Sequence, residues 1–257
     1  MLNDSPDNKE LEKIVRSYDD PRIVYVENEK NLGISASRNK LIDLARGEYL
    51  AVFDHDDISF PTRLEKQAAY LDENPGVGVL GTQVEAPESL KGCDWWLITP
   101  ADNLDIKREL MRYTAVVHTS AMIRKSVLVE SGVRYEEEYS PAEDYLLLVR
   151  LIGHTMFHNL PDKLVYYRWH ADNTSNRVRE RHLDVGALAR NIAWREYPYL
   201  VSLNASARPP ETPPQLAPKK KEWLRLFFII PFIKIKRKPD GRTKYYLFGF
   251  LPLISRR

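Results

Sequence analysis

Three aspartates and a histidine stand together directly after a short apolar segment of the kind that forms strands. This acidic run (residues 54–57: Asp54, His55, Asp56 and Asp57) follows residues 48–53, and a helical pattern begins at Pro61. Carboxylates this close repel one another unless a cation lies between them. Mg²⁺ and Mn²⁺ prefer such oxygen ligands and keep phosphates or waters in their remaining positions. The alternative is a solvated turn in which Asp57 or Ser59 caps the following helix.

The elements that must position the acidic run alternate between strand and helix. Strands are predicted at residues 22–26, 48–53, 77–84, 120–124, 156–160 and 163–169, and helices at residues 35–46, 61–73, 102–113, 142–152 and 183–197. This order predicts an α/β fold, a Rossmann-like, mainly parallel sheet flanked by helices. Ligands of open α/β sheets bind beyond the carboxyl ends of the strands, which favours the metal interpretation of the run.

Composition sets broad bounds on the chain. Its 257 residues, 43% hydrophobic and 29% charged, indicate an ordinary globular protein with an ample core. The single cysteine, Cys93, excludes an internal disulfide and a cysteine metal cluster. The first residues are polar, so no signal peptide is expected. No apolar run approaches the roughly 20 residues of a membrane-spanning helix.

Charge divides the chain into an acidic body and a basic tail. Residues 219–257 hold 12 of the 38 Lys and Arg residues but only two of the 36 acidic ones. Residues 204–218 contain five prolines and read as a linker, so we expect a domain over residues 1–203, this linker, and the basic, hydrophobic C-terminal tail. Basic residues beside aromatic and aliphatic clusters suit an anionic membrane surface. The alternative is a β-hairpin packed on the domain. No nucleic acid is expected, because the body is acidic.

Five motifs, in order over residues 3–176, resemble the family 2 glycosyltransferases, which are inverting enzymes of the GT-A fold. They are Asn-Asp-Ser-Pro-Asp-Asn at 3–8, Asn-Leu-Gly-Ile-Ser-Ala-Ser-Arg-Asn at 31–39, Phe-Asp-His-Asp-Asp at 53–57, Glu-Asp-Tyr at 143–145 and Tyr-Arg-Trp-His at 167–170. In the family a strand, a helix and a second strand precede the first motif, so an N-terminally truncated form of the domain is expected. Asn3 also stands where the family has an aspartate.

The resemblance implies a role for each motif. Asp54 and Asp56 would hold a divalent ion, Mn²⁺ or Mg²⁺, and His170 could touch the metal or the pyrophosphate. Asp144 would be the catalytic base and Glu143 would bind the acceptor. The alternatives are that Ser140, Glu143 and Asp144 only cap a helix, since acids favour helix N-termini, and that His170 is structural.

Nucleotide-sugar contacts are implied for four further residues beside Asp54 and Asp56. These are Asp4, Gly33, Arg38 and Asn39, with Arg38 as a plain surface residue left open. Trp95 and Trp96 could form an acceptor platform, because sugar C–H faces stack on aromatic rings, although a core role is an equal alternative.

The expected function is inverting, metal-dependent sugar transfer, of a hexosyl or N-acetylhexosaminyl group. The donor would be a nucleotide sugar, expected to be UDP-linked, and the acceptor a cell-surface glycan or lipid-linked molecule of lipopolysaccharide, lipooligosaccharide or capsule assembly. The expected location is cytoplasmic, at the inner face of a bacterial plasma membrane. One alternative is a catalytically inactive truncated homologue that binds membrane or a partner. Another is a nucleotidyltransferase, although no Gly-rich, basic phosphate loop is found.

Overall fold

A mixed five-stranded sheet forms the centre of the structure, a computed structural model that describes residues 1–87, 98–169, 179–202, 233–237, 243–247 and 251–256. Its strands are β3 (Tyr49–Ala51), β4 (Ile58–Ser59), β5 (Val77–Glu85), β6 (Met122–Arg124) and β7 (Met156–Tyr166), in the order β3-β6-β5-β7-β4. The central β5–β7 pair is parallel, and the other pairs are antiparallel. The predicted α/β class is confirmed, with a sheet of mixed direction.

Two smaller sheets lie at the two ends of the sequence. Strands β1 (Leu2–Asn3) and β2 (Val26–Glu27) pair in parallel, which places the residue after β1, Asp4, at a strand end. Strands β8 (Ile233–Arg237), β9 (Thr243–Leu247) and β10 (Leu251–Arg256) form an antiparallel sheet in the order β10-β9-β8. The tail therefore contains a third strand beyond the hairpin considered from the sequence.

Eight helices lie within the described residues. They are α1 (Lys9–Arg16), α2 (Ile34–Leu44), α3 (Arg63–Glu73), α4 (Asn103–Glu109), α5 (Lys125–Ser131), α6 (Glu143–Leu151), α7 (Arg179–Glu196) and α8 (Pro198–Ser202), with 3₁₀ turns at His118–Ser120 and Glu137–Tyr139. The five predicted helices correspond to α2, α3, α4, α6 and α7. Helices α1, α5 and α8 were not predicted. Among the described helices, none is long and apolar enough to cross a membrane.

Strand β7 differs most from its prediction. Two strands were expected, at 156–160 and 163–169. Pro161 lies between them, and proline has no backbone donor and is uncommon inside a strand. The structure instead has one strand, β7. Its pairing with β5 jumps from Leu160 to Lys163 between Thr82 and Gln83, so Pro161 and its neighbour form a bulge.

The main core lies between the sheet and helices α6 and α7. Residues 146–149 of α6 are buried on successive positions, because neighbouring elements cover this helix on more than one side. Strand residues Val79, Ile123 and Phe157 join the same cluster, as do Ala189 and Ala193 of α7. This packing fixes the N-terminus of α6, which carries Glu143 and Asp144.

Candidate active site

A bridging arginine joins three distant parts of the sequence. Arg38 of α2 donates from Nη1 to Glu143 Oε1 and from Nη2 to Asp54 Oδ1, each at 3.0 Å. Its side chain is only 13% exposed, that of Glu143 is 4% exposed and that of Asp54 is 38% exposed. The interpretation of Arg38 as a surface residue is therefore wrong, and the acidic run meets the start of α6 through this residue.

The charges at this bridge perturb one another. Burial alone would lower the pKa of Arg38, but the negative charges of Asp54, Glu143 and Asp144 outweigh it and raise that pKa above its ordinary value. Burial also opposes ionisation of Asp54, yet Arg38 keeps the pKa of Asp54 below its usual range. The pKa of Glu143 is raised, because its burial exceeds the effect of Arg38.

Asp144 lies beside Glu143 but in different surroundings. It is partly exposed, and its Oδ1 accepts the N–H of the next residue, Tyr145, at 2.7 Å. Its charge acts on Arg38, His118 and Tyr135, so the carboxylate lies near the same cluster. Neither acid serves as the N-cap of α6, because that position belongs to Ala142 and no side chain caps it.

Two buried residues that the sequence did not assign, His118 and Tyr135, lie behind Arg38. The His118 Nε2 and the Tyr135 hydroxyl are 2.9 Å apart, and the Arg38 guanidinium carbon lies 5.5 Å from the centre of the Tyr135 ring. Burial and the positive charge of Arg38 lower the pKa of His118 to about 4. Sequence gave little signal for either residue, since a lone histidine or tyrosine is usually a core residue.

The backbone beneath the acidic run is held by neighbouring polar side chains. The Asp54 N–H donates to Thr119 Oγ1 at 3.1 Å. The fully buried Arg63 donates from Nη2 to the carbonyls of Val52 at 2.7 Å and Ala121 at 3.3 Å, which joins the ends of β3 and β6. Burial lowers the pKa of Arg63 to about 10, so the guanidinium remains charged at neutral pH.

Asp57 ties the acidic run to the segment after β7. Its Oδ1 accepts the backbone N–H of Arg168 at 2.9 Å, and the Arg168 Nε donates to the carbonyl of Asp56. Burial, with repulsion from Asp54, raises the pKa of Asp57 to about 8. The helix-cap interpretation of Asp57 and Ser59 is wrong, since Thr62 directly precedes α3 and Ser59 lies in β4.

The family model for Glycosyl transferase family 2 matches residues 1–132 of the 257. This chain belongs to that family.

Curated relatives agree with this assignment. An uncharacterized glycosyltransferase of Methanocaldococcus jannaschii is 32% identical over 199 residues, 71% of this chain and 64% of its own length. The amylovoran biosynthesis glycosyltransferase AmsE of Erwinia amylovora is 31% identical over 162 residues, 60% of this chain and 58% of its own. The chain spans about half to two thirds of the length of such relatives.

Solved structures share the GT-A fold. S. aureus TarS residues 1–349 in complex with UDP-GlcNAc gives a TM-score of 0.58 at 19% identity, covering 75% of this chain and 56% of that one. The mannosyltransferase PcManGT of Pyrobaculum calidifontis, in complex with GDP-Man and Mn²⁺, gives 0.50 at 15% identity, covering 77% and 62%. At these identities the likeness establishes the fold.

Two family motifs meet at the small N-terminal sheet. Asp4 is fully buried, and its carboxylate accepts the side-chain amide of Asn28 and the backbone N–H groups of Leu32 and Gly33 at 2.8 to 3.0 Å. Gly33 has φ +85°, a conformation that side-chain-bearing residues rarely adopt. Asp4 and Gly33 therefore fix the turn into α2. Their contact with a nucleotide stays a prediction.

Four predicted site residues remain: Asn39, which the structure describes, and three that it does not. Both polar atoms of the Asn39 amide bind the backbone of Tyr135, at 2.8 and 3.0 Å, so Asn39 fastens α2 to that residue and its nucleotide contact stays a prediction. Trp95, Trp96 and His170 lie outside the described residues.

Asp54 and Asp56 suit a divalent ion whose remaining coordination positions are filled by the phosphates of a substrate. Asp54 and Asp56 follow the end of β3 and are both partly exposed. Within the described ranges no group of three or more His, Cys, Asp or Glu residues is placed to hold a metal. Two carboxylates are what Mg²⁺ or Mn²⁺ commonly takes from protein when phosphates complete its coordination.

Proposed function

We propose that this chain transfers a sugar from a nucleotide-linked donor to an acceptor hydroxyl, with inversion at the anomeric carbon. The observation that carries the proposal is the Arg38 bridge, which gathers Asp54 and Glu143 at one strand end beside Asp144. Family membership supports the reaction class. Because the chain spans only part of its curated relatives, its activity, substrates and partners are proposals.

Asp144 is the proposed base. Its carboxylate takes the proton of the acceptor hydroxyl while that oxygen bonds to the anomeric carbon. The bond between that carbon and the phosphate oxygen breaks, and its electron pair leaves on the nucleoside diphosphate. Asp144 suits this role better than Glu143, because Asp144 is partly exposed whereas Glu143 is buried and ion-paired.

Arg38 and Glu143 position the reacting groups. A guanidinium carries five N–H groups, and the two ion pairs engage one terminal nitrogen each, so Arg38 retains donors for a phosphate of the donor. Glu143 fixes the guanidinium through its ion pair, and its contact with the acceptor stays a prediction. The buried positions of both side chains keep this geometry in place before substrate arrives.

Asp54 and Asp56 are proposed to hold Mn²⁺ or Mg²⁺ against the pyrophosphate. The bound ion would act as a Lewis acid for the negative charge that develops on the leaving phosphate. Asp54 is ionised at neutral pH because its pKa is held low, which is the state that a metal ligand needs. Asp57 and Thr119 support the turn from below.

The relatives support a class of substrate. S. aureus TarS and PcManGT were solved with UDP-GlcNAc and with GDP-Man, so a UDP- or GDP-linked sugar is the proposed donor. AmsE serves amylovoran biosynthesis, which supports a glycan product. We extend the proposal to a cell-surface glycan or lipid-linked acceptor, as in lipopolysaccharide, lipooligosaccharide or capsule assembly.

The basic tail is proposed to attach the chain to an anionic membrane surface, at the inner face of a bacterial plasma membrane. Residues 219–257 carry a net charge of +10, whereas residues 1–218 carry −8. Lys and Arg residues near an anionic bilayer contribute about 1 kcal/mol each to binding. Such attachment would bring the site to a lipid-linked acceptor.

A donor screen tests the proposed function. The chain is incubated with UDP- and GDP-linked hexoses and N-acetylhexosamines, with Mn²⁺ or with EDTA, and release of nucleoside diphosphate is measured. We expect Mn²⁺-dependent release from at least one donor, and its loss in Asp144→Asn. Release that is equal in EDTA, or equal in Asp144→Asn, would contradict the proposed mechanism.

A further inference from the structure

A buried pair of side chains behind Arg38 has no part in the reaction proposed above. His118 and Tyr135 are 7% and 6% exposed, and their rings meet edge to face, with centres 5.8 Å apart and an angle of 87° between them. The Tyr135 hydroxyl and His118 Nε2 form their hydrogen bond at 2.9 Å. Within the described part of the chain, His118 Nδ1 has no partner. The ring of His118 is thus anchored through Tyr135.

Tyr135 is attached to helix α2 at two neighbouring residues: its ring contacts Arg38 and its backbone binds Asn39. The ring presents its face to the Arg38 guanidinium at 5.5 Å, a distance at which a cation and an aromatic ring attract. The Tyr135 backbone is held by the side chain of Asn39, the residue after Arg38. The ring and the guanidinium are therefore fixed relative to each other by two independent attachments.

His118 is also linked to Arg38 by a second route, through Thr119 and Asp54. It is followed by Thr119, whose hydroxyl accepts the N–H of Asp54, and Asp54 accepts Arg38. The path from Arg38 through Asp54, the His118–Thr119 turn and Tyr135 thus returns to Arg38. A closed loop of contacts restricts each member more than a chain with a free end.

We propose that His118 and Tyr135 are positioning residues that hold the Arg38 guanidinium where it bridges Asp54 and Glu143. This role rests on the proposed function, because its effect on catalysis passes through Arg38. Neither residue is assigned a contact with the reacting atoms.

The uncharged state of His118 is consistent with this role. Burial and Arg38 lower the pKa of His118 to about 4, so the imidazole is neutral at pH 7. A neutral ring leaves Arg38 as the cation that pairs with Asp54 and Glu143. A charged ring at this position would lie close enough to Asp54 and Asp144 to compete for them.

Side-chain relaxation tests the proposal without any substrate. The ¹⁵N relaxation of the Arg38 guanidinium is measured in the full chain and in Tyr135→Phe and Tyr135→Leu. We expect an ordered guanidinium in the unmodified chain, an intermediate value in Tyr135→Phe, and an order parameter below about 0.6 in Tyr135→Leu. Unchanged order of Arg38 in Tyr135→Leu would overturn the proposal.

Tyr145→Phe is the matched control. It also removes a buried hydroxyl, one that donates to the Leu110 carbonyl at 2.8 Å, but Arg38 has no contact with this ring among those described. Comparable loss of thermal stability is expected in Tyr145→Phe and Tyr135→Phe. Loss of Arg38 order in the control as well would show a general loosening and would overturn the specific role.

A double-mutant cycle gives the catalytic readout. His118→Asn is made in the unmodified chain and in Arg38→Lys, and donor turnover is measured. Loss of a supporting contact commonly costs tenfold or more, so we expect about a tenfold fall in the first background and less than about twofold in the second. Equal falls in both would mean a merely structural role. A chain without donor turnover would count against the proposed function, while the relaxation measurement still decides the positioning role.

Discussion

Glu143 and Asp144 are adjacent in sequence, yet the structure gives their carboxylates different tasks. Glu143 is buried and paired with Arg38, whereas Asp144 is partly exposed and lies near the cluster. A base must reach the acceptor proton, and a buried, paired carboxylate cannot do so without moving. The division of labour between the two acids therefore follows from burial and pairing.

The first prediction concerns Asp144→Asn. The amide keeps the shape of the side chain but cannot take a proton, so donor turnover with acceptor should fall by at least about 100-fold. Nucleotide affinity should change little, because Asp144 is not assigned to the donor. Turnover and calorimetric nucleotide affinity are measured together. Asp105→Asn on α4, an exposed acid, is the control, and near-normal turnover of Asp144→Asn would exclude it as the base.

The second prediction concerns the effect of His118 on the unfolding free energy at acid pH. The pKa of His118 is about 4 in the folded chain against an ordinary 6.5, so the unfolded chain binds the extra proton between these values. The part of the unfolding free energy that comes from the neutral His118 is therefore present at pH 7 and is lost as the pH falls through 6.5 towards 4. Between pH 7 and pH 5 the unmodified chain should lose about 2 kcal/mol more unfolding free energy than His118→Asn.

Urea unfolding of the two proteins at both values measures this difference. Equal losses would show that His118 titrates normally in the folded chain. Glu143 and Asp57 have raised pKa values, so they make the folded state more stable as the pH falls. This effect is present in both proteins and cancels when the loss of one is subtracted from the loss of the other.

At the scale of single residues, sequence motifs located most of the cluster but not its contacts. Asp54, Arg38 and Asp144 were all predicted as site residues, and the structure brings them together. The Arg38 bridge itself was missed, because pairing between residues 105 positions apart depends on tertiary packing. Arg63 was missed for the same reason, since residue type alone does not tell a buried polar group from an exposed one.

At the scale of elements, the turn into α2 depends on the absence of a side chain at Gly33. Gly33 has φ +85° and ψ 167°, a region that glycine occupies almost alone, and its N–H binds Asp4. The turn aims α2, and hence Arg38, towards the acidic run. A change at Gly33 should therefore affect both stability and the site.

The third prediction is that Gly33→Ala lowers the unfolding free energy by about 1 to 3 kcal/mol, although a Cβ there would meet no atom within 4 Å. The cost would arise from backbone strain alone. Gly186→Ala in α7 is the control, since it also has open space, shows no positive φ and should stabilise by about 0.5 to 1 kcal/mol. Equal effects of the two changes in urea unfolding would contradict the strain argument.

Element types were predicted well from periodicity, whereas local exceptions were not. Helices α3 and α6, for example, were found within about two residues of their ends. The prediction divided β7 into two strands at residues 161–162, whereas a bulge opposite β5 lets one strand continue through Pro161. Helix α5 begins directly after β6 and was missed, since such a short helix has little periodic signal.

At the scale of the whole molecule, charge divides the sequence into an acidic body and a basic tail. The family match covers residues 1–132, and strands β8, β9 and β10 pair with one another in a separate sheet. The predicted linker at residues 204–218 lies outside the described residues. The division into domain, linker and tail stays a prediction.

The fourth prediction concerns the tail. Deletion of residues 219–257 removes a net charge of +10 and should abolish cosedimentation with vesicles that contain phosphatidylserine. Vesicles of phosphatidylcholine alone are the control and should bind both proteins weakly. Binding of the shortened chain to anionic vesicles at the level of the full chain would rule out the tail as the attachment.

The most direct measurement of the central claim is calorimetric titration of the chain with UDP and with GDP, with and without Mn²⁺, in the unmodified protein and in Asp56→Asn. We predict binding of at least one nucleotide that requires Mn²⁺ and is weakened in Asp56→Asn. Equal nucleotide affinity with and without Mn²⁺, or no binding in any condition, would contradict a metal-dependent donor site at the acidic run.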